Sequence, residues 1–308
     1  MKNLVKYHLK NGLILGQIYF IILLLSFGYI LQFTKLPKST PHILNKIVIY
    51  VSFPATVLLH APKIEFSTNL LLPIVIPWFV LILSIVLVFT LFREAETKTK
   101  AALLLLIPLG NTSFLGFPLL ESILGKESLQ YAILYDQLGS FLMLAIYGTA
   151  IVSLYTHGKI DAKIIIKKIA LFPPFIVLIY SFFIGYTPDV LIPLIEILAS
   201  TLTPLAIISV GLSMQLRIDE NRAIFTKAIL VKLVLIPLIV LAIFKLFGFD
   251  DLVAKTTLLE AAMPSMITAG VLAINAGFAP KLSATLVGYG ILFSLITIPL
   301  FSKFFELI

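Results

Sequence analysis

The chain has 308 residues, of which 60% are hydrophobic and only 12% charged, with a mean hydropathy of +1.09. A soluble domain is about half apolar and about a quarter charged, so a bilayer is the expected solvent. The absence of cysteine excludes a disulfide framework, cysteine zinc ligands and a thiol nucleophile, and the net charge of +8 falls in short loops between apolar runs, which fits membrane orientation rather than nucleic-acid binding.

Ten apolar stretches follow in chain order, at about 13–33, 43–61, 70–92, 101–123, 129–155, 169–187, 189–214, 224–247, 256–276 and 282–305. Most have the roughly 17 to 25 residues that a tilted helix needs to cross the hydrocarbon. The opening MKNLVKYHLK and the apolar run behind it imitate a signal peptide. The run is too long for a signal core and no small-x-small cleavage site follows, so it is read as span one. Gly12 and Gly16 within it match a helix-packing motif too common in membrane helices to carry weight. His60, near the outer end of span two, reads as an interfacial or packing histidine. Spans six and seven are separated only by the turn Tyr186-Thr187-Pro188-Asp189. Lys232 in span eight is expected to snorkel to the cytoplasmic interface.

Alternate connections divide the basic residues unevenly. The 1–2, 3–4, 5–6, 7–8 and 9–10 side holds 15 of the 23, leaving 8 for the other. The richer side is expected in the cytoplasm, with both termini outside in a multi-pass plasma (inner) membrane protein; Lys2, Lys6 and Lys10 pull the other way.

Prolines then reveal a repeat. Pro54 in SFPATVLLHA aligns with Pro204 in LTPLAIISVG, 150 residues apart; Pro77 and Pro237 are 160 apart, and Pro108 and Pro264 are 156 apart. Three pairs in the same order relate spans two to seven, three to eight and four to nine. An odd number of spans per half inverts the second half, so the expected fold is an all-α membrane protein of ten transmembrane helices in a five-plus-five inverted repeat. The first repeat covers 1–155, a short cytoplasmic connection 156–168, and the second repeat 169–308.

The stretch IPLGNTSFLGFP at 107–118 places two prolines, two glycines and Asn111, Thr112 and Ser113 inside span four. Irregular backbone at membrane depth is tolerated only where it lines a cavity or is buried in protein. Proline removes the hydrogen bond to the carbonyl four residues earlier, so Pro108 frees the Leu104 carbonyl and Pro264 that of Glu260. Asn111, Thr112 and Ser113 in one span, and Ser265 in the other, are suited to cap a new helix. Each break therefore offers carbonyls for a cation and a helix N-terminus for an anion, and Thr268 lies one turn beyond Ser265.

GNTSFLGFPL at 110–119, YDQLGSF at 135–141, SVGLSMQL at 209–216 and AAMPSMITAGVLA at 261–273 together resemble the auxin efflux carrier family of bacterial and plant permeases, over essentially the whole chain. The resemblance implies inverted five-helix repeats, with helices four and nine crossing at the substrate site. It also implies organic-anion substrates: auxin in plants, malate- or malonate-like dicarboxylates in some bacterial members. The wider fold group includes the bile acid:sodium symporters, which are similar around Glu260 and Met263, where a glutamate and methionine contribute to a sodium site. A glutamine follows that methionine there and Pro264 here. The long loop of plant members between helices five and six is reduced to about Tyr155–Lys168.

Two acids fall inside spans, where charge costs several kcal/mol unless solvated or paired. Asp136, followed by Gln137, lies in span five, and Glu260 lies one turn before the span-nine break. They are expected to bind a coupling sodium ion or a proton, with Met263 beside them. The expected activity is secondary transport of a small organic anion by alternating access. Spans four, five, nine and ten would form a moving core, against a scaffold or homodimer face of spans one, two, six and seven. A gated channel is the alternative. An intramembrane enzyme is disfavoured: Tyr135-Asp136 has no Gly-x-Gly-Asp partner, and neither His-Glu-x-x-His nor Gly-x-Ser-x-Gly occurs. No nucleic-acid partner and no cofactor beyond sodium is implied.

Overall fold

The computed structural model describes residues 2–64, 68–156, 162–216 and 221–307, with side chains over 18–306 of these. The described residues are mostly helical and contain no strand, only one isolated bridge. Among the described residues six helices are long and apolar enough to cross a bilayer: α2 (Thr40–Lys63), α3 (Asn69–Leu91), α6 (Lys126–Thr156), α9 (Asp189–Ser213), α10 (Arg222–Phe247) and α13 (Pro280–Glu306). Between them run α1 (Lys2–Leu31), α4 (Thr97–Leu106), α5 (Thr112–Leu124), α7 (Ala162–Ala170), α8 (Pro173–Phe183), α11 (Leu252–Ala261) and α12 (Ile267–Asn275). The expected span four is thus the pair α4 and α5, and span nine the pair α11 and α12. The connection expected over 156–168 carries the start of α7, while 157–161 lie outside the described residues.

Burial explains why these short pieces persist as helices. Every residue from Ala101 to Leu106 is at most 2% exposed. A helix apolar all round must be surrounded by protein or lipid, and α4 is surrounded by α3, α6, α12 and α13. By contrast Ile82, Val86 and Phe89 on α3, and Leu194 on α9, are exposed apolar side chains, as expected of a surface that faces lipid.

Two groups of helices pack most closely. In one, α9 packs against α1 and α2, and α2 against α8. Small residues let the backbones of α1 and α9 touch: a Cβ on Gly211 would stand 2.8 Å from the Tyr29 amide nitrogen and 2.9 Å from the Gly28 Cα. Close approach through glycine is how membrane helices gain packing without a hydrophobic driving force. Gln32 Nε2 fastens the same contact, donating to the carbonyls of Gly211 at 2.7 Å and Met214 at 2.8 Å. In the second group α3, α6, α10 and α11 pack together, with α13 against α10, α11 and α12. α5 contacts both groups, touching α1 and α9 on one side and α6 and α11 on the other.

Several helices widen locally into π turns, at Val48–Ser52, Thr112–Gly116, Asp136–Phe141, Leu144–Gly148 and Val231–Leu235. Such turns insert a residue into the helical ladder, redirect side chains and concentrate at functional sites.

Candidate substrate site at two interrupted helices

The interruptions between α4 and α5 and between α11 and α12 lie against each other. The Asn111 amide donates to the Pro264 carbonyl at 2.8 Å, and the Met266 amide donates to the Leu109 carbonyl at 2.9 Å. Gly110 and Ser265 form an isolated antiparallel bridge between the same two stretches of backbone. Two extended segments with exposed amides would each be untenable inside a membrane; paired, each supplies partners for the other. Asn111, Thr112, Pro108, Met263, Pro264 and Ser265 are all buried there. Ser113 is half-buried, and Thr268 is exposed and does not join them.

The expected free carbonyls are occupied. Tyr147 Oη donates to the Leu104 carbonyl at 2.9 Å, and the Met263 amide donates to the Glu260 carbonyl at 3.1 Å. Tight backbone geometry and a neighbouring phenol have taken over from the hydrogen bonds that proline removed, so each carbonyl already has one partner, with a second lone pair remaining. The expected side-chain caps are not formed either. Asn111 is the N-cap residue of the π turn opening α5 without a side-chain cap bond, and Met266, not Ser265, is the N-cap residue of α12. Ser265 Oγ instead donates to the Leu106 carbonyl at 2.7 Å, at the end of α4. Without caps, the first amides of α5 and α12 keep the unsatisfied donors of any helix start.

The two acids are buried and differ in environment. Asp136 sits on the π turn of α6, where Oδ1 accepts from Thr112 Oγ1 at 2.5 Å and Oδ2 from Gln137 Nε2 at 2.6 Å. Glu260 is 1% exposed, and neither carboxylate oxygen has a hydrogen-bond partner. It occupies room left by a missing side chain, since a Cβ on Gly116 would lie 2.8 Å from Glu260 Oε2 and 3.1 Å from Oε1. The two carboxylates also act on each other electrostatically.

Other buried polar atoms at these elements lack partners: Asn111 Nδ2 just before α5, Gln137 Oε1 and Ser140 Oγ on α6, and Thr256 Oγ1 one turn before Glu260 on α11. A buried polar group without a partner costs about 1–3 kcal/mol, so a group of them points to a ligand that completes it. The donor set is hard oxygen from carboxylate, amide and hydroxyl, suited to a small monovalent cation or a proton beside one amide donor for an anion. Among the described residues no three His, Asp or Glu side chains cluster as a metal site.

A cleft of about 870 Å³ opens beside α5, lined by Thr56, His60, Lys63, Glu121, Lys126 and Thr203 among others from α1, α2, α5, α6 and α9. It does not include Asn111, Asp136 or Glu260. His60 is half-buried on its wall, within the field of Lys63 and Lys126.

Lys232 departs from expectation. It is 3% exposed, on the π turn of α10, so its side chain is enclosed by helices and does not snorkel to the surface. Gly116, Ser140, Thr256 and Tyr147 are not singled out by the sequence. Gly116 lies within GNTSFLGFPL and is in that sense legible, whereas one hydroxyl among many in membrane helices carries no local signal.

A family model described as a membrane transport protein matches residues 13–302. An uncharacterized transporter of Methanocaldococcus jannaschii is 29% identical over 296 residues, covering 91% of this chain and 95% of the relative. An uncharacterized transporter of Methanothermobacter thermautotrophicus is 28% identical over 291 residues, covering 92% and 95%. With its apolar helices, its paired interruptions and this match across nearly its whole length, the chain belongs to the auxin efflux carrier-type membrane transport protein family.

Proposed function

We propose that this multi-pass membrane transporter moves a small organic anion by alternating access, with the substrate held where the two interrupted helices meet. The observation that carries this reading is the pairing of Asn111 with Pro264 beside the unpartnered carboxylate of Glu260. Uncapped helix starts favour negative charge, and Asn111 Nδ2 supplies a free donor. Thr112 and Ser113 flank it, and Pro108 and Pro264 keep the backbone open. An anion at this depth needs a compensating charge. In this reading Glu260 and Asp136, with Gln137 and Met263 beside them, take up a sodium ion or a proton and so couple the anion to an ion gradient.

The ten-span count, the inverted five-plus-five repeat and the division at 155 and 169 belong to the same proposal. So do residence in the plasma membrane and a scaffold of α1, α2, α8 and α9 that doubles as a homodimer face. The tight glycine-mediated contact of α1 with α9 supports a rigid scaffold, and α5 contacts both helix groups, as a sliding element would.

Uptake into liposomes reconstituted with the purified protein tests it. Malonate, malate and indole-3-acetate are offered with and without a sodium gradient and a proton gradient. Saturable uptake with counterflow of at least one carboxylate is expected. Non-saturable flux without counterflow would mark a channel, and uptake of none of the carboxylates would overturn the organic-anion reading.

A further inference from the structure

Lys232 has no role in the site just described. α10 runs from Arg222 to Phe247, 26 residues, and at about 1.5 Å per residue Lys232 stands about 15 Å from its start. In a hydrocarbon layer of about 30 Å centred on this helix, that is about 11 Å inside the nearer edge. The side chain is nonetheless 3% exposed, so it is enclosed by protein at mid-depth. It makes no hydrogen bond or ion pair among the described residues, and no described acid acts on it electrostatically. α10 contains no Asp or Glu, and the only acid of α13 is Glu306, paired with Lys255 at the far end.

A lysine with three donors and no acceptor, 3% exposed among helices, is a poor structural element, since burying a lone charge costs several kcal/mol. It sits on the π turn Val231–Leu235, between the buried Val231 and Leu233. Its position relative to the interruption is fixed through α13. A Cβ on Gly290 would stand 3.3 Å from Pro264 Cβ, 3.9 Å from the Ser265 amide nitrogen and 3.9 Å from Ile229 Cδ1. Lys232 lies three residues beyond Ile229, one turn along the helix that touches this contact.

We infer that Lys232 is the basic group of an anion site between α10 and α13, where it pairs with a carboxylate of the transported molecule. This rests on the organic-anion reading for the identity of the ligand. The site itself is tested without transport, with acetate and malonate as probes and acetamide and malonamide as neutral controls.

The thermal midpoint of the purified full chain in detergent is measured against each probe, with sodium chloride at matched ionic strength. A ligand that binds only the folded state raises the midpoint as the logarithm of its concentration once that exceeds the dissociation constant. In the wild type both acids are expected to raise it progressively with concentration and the amides not at all. Lys232→Arg should keep the response, and Lys232→Met should need at least about thirtyfold more acid. Equal responses in wild type and Lys232→Met, or a wild-type response no larger than that to chloride, would overturn the site. If Lys232→Met does not purify as a single species, 4-bromobenzoate, whose aryl bromide is not displaced by amines, bound to the wild type decides. Its carboxylate, located from the anomalous bromine signal, must lie beside Lys232 Nζ, and a signal elsewhere only, or none, rejects the site. Carboxylate binding here without uptake in liposomes would sink the transport reading alone, and uptake without binding at Lys232 would sink this inference alone.

Discussion

Glu260 and Gly116 act as one unit. The carboxylate occupies the space that Gly116 leaves open and has no hydrogen-bond partner there. Glu260→Gln keeps the volume and removes the charge. If the site couples transport to sodium, the stimulation of substrate affinity by sodium, typically about 5–150-fold for coupled sites, should vanish. If it couples to a proton, net transport should lose its pH dependence while exchange survives, because exchange needs no proton cycle. Substrate affinity measured against sodium and pH in both proteins decides, and a variant with both dependences intact would make Glu260 structural. Gly116→Ala tests the other half of the pair. The added Cβ meets a carboxylate at 2.8 Å, an overpacking that costs about 1–3 kcal/mol. The variant should show a lower thermal midpoint and altered ion dependence together; a drop in stability with coupling unchanged would separate the two residues.

At the scale of elements, the proline pattern makes the interruptions legible, and charge in apolar sequence points to Asp136 and Glu260. What the sequence does not convey is how the broken backbone is satisfied. Pro108 and Pro264 remove local hydrogen bonds, but the replacements come largely from residues distant in sequence: Tyr147 for Leu104, Ser265 for Leu106, and the backbone of each interruption for the other. Capping arguments consider only the nearest residues, which is why they assign Ser265 to its own helix. Lys232 escapes sequence reasoning for a related reason, since snorkelling is judged from helix position, while its burial depends on neighbouring helices distant in sequence. Tyr147→Phe isolates one of these remote bonds. It leaves the buried Leu104 carbonyl without its partner, at a cost of about 1–3 kcal/mol, while keeping the ring. The thermal midpoint of the purified variant should fall accordingly with the oligomeric state unchanged. An unaltered midpoint would mean that this carbonyl finds another donor.

Across the whole molecule, side-chain contacts at the helix ends respect the division of basic residues read from the sequence. Lys227 donates to the Leu91 carbonyl, and Lys168 to Thr149 at 3.1 Å, both within the basic-rich set of connections. On the other side Asn69 donates to Asp251 at 2.6 Å, Lys245 to the Phe305 carbonyl at 2.8 Å, and Lys255 pairs with Glu306. None of these five contacts joins one set to the other, which supports two faces; with the enclosed Lys232 left out, 14 of the 15 basic residues of the richer set remain against 8 on the other. The positive-inside rule weighs Lys and Arg in short loops, and among the described connections these loops are short. The basic-rich face is therefore expected in the cytoplasm, with the cleft lined by His60, Lys63 and Lys126 opening to the outside. Because Glu306 is tied to Lys255 within the other set, a reporter fused after the C-terminus should read extracytoplasmic, whereas a fusion in the connection between α3 and α4 should read cytoplasmic. Adding lysines beside Lys126 should weaken this preference before any change at the paired interruptions does. A cytoplasmic C-terminal reporter together with an external α3–α4 connection would invert the molecule and turn the cleft inward; both reporters on one side would break the span count itself.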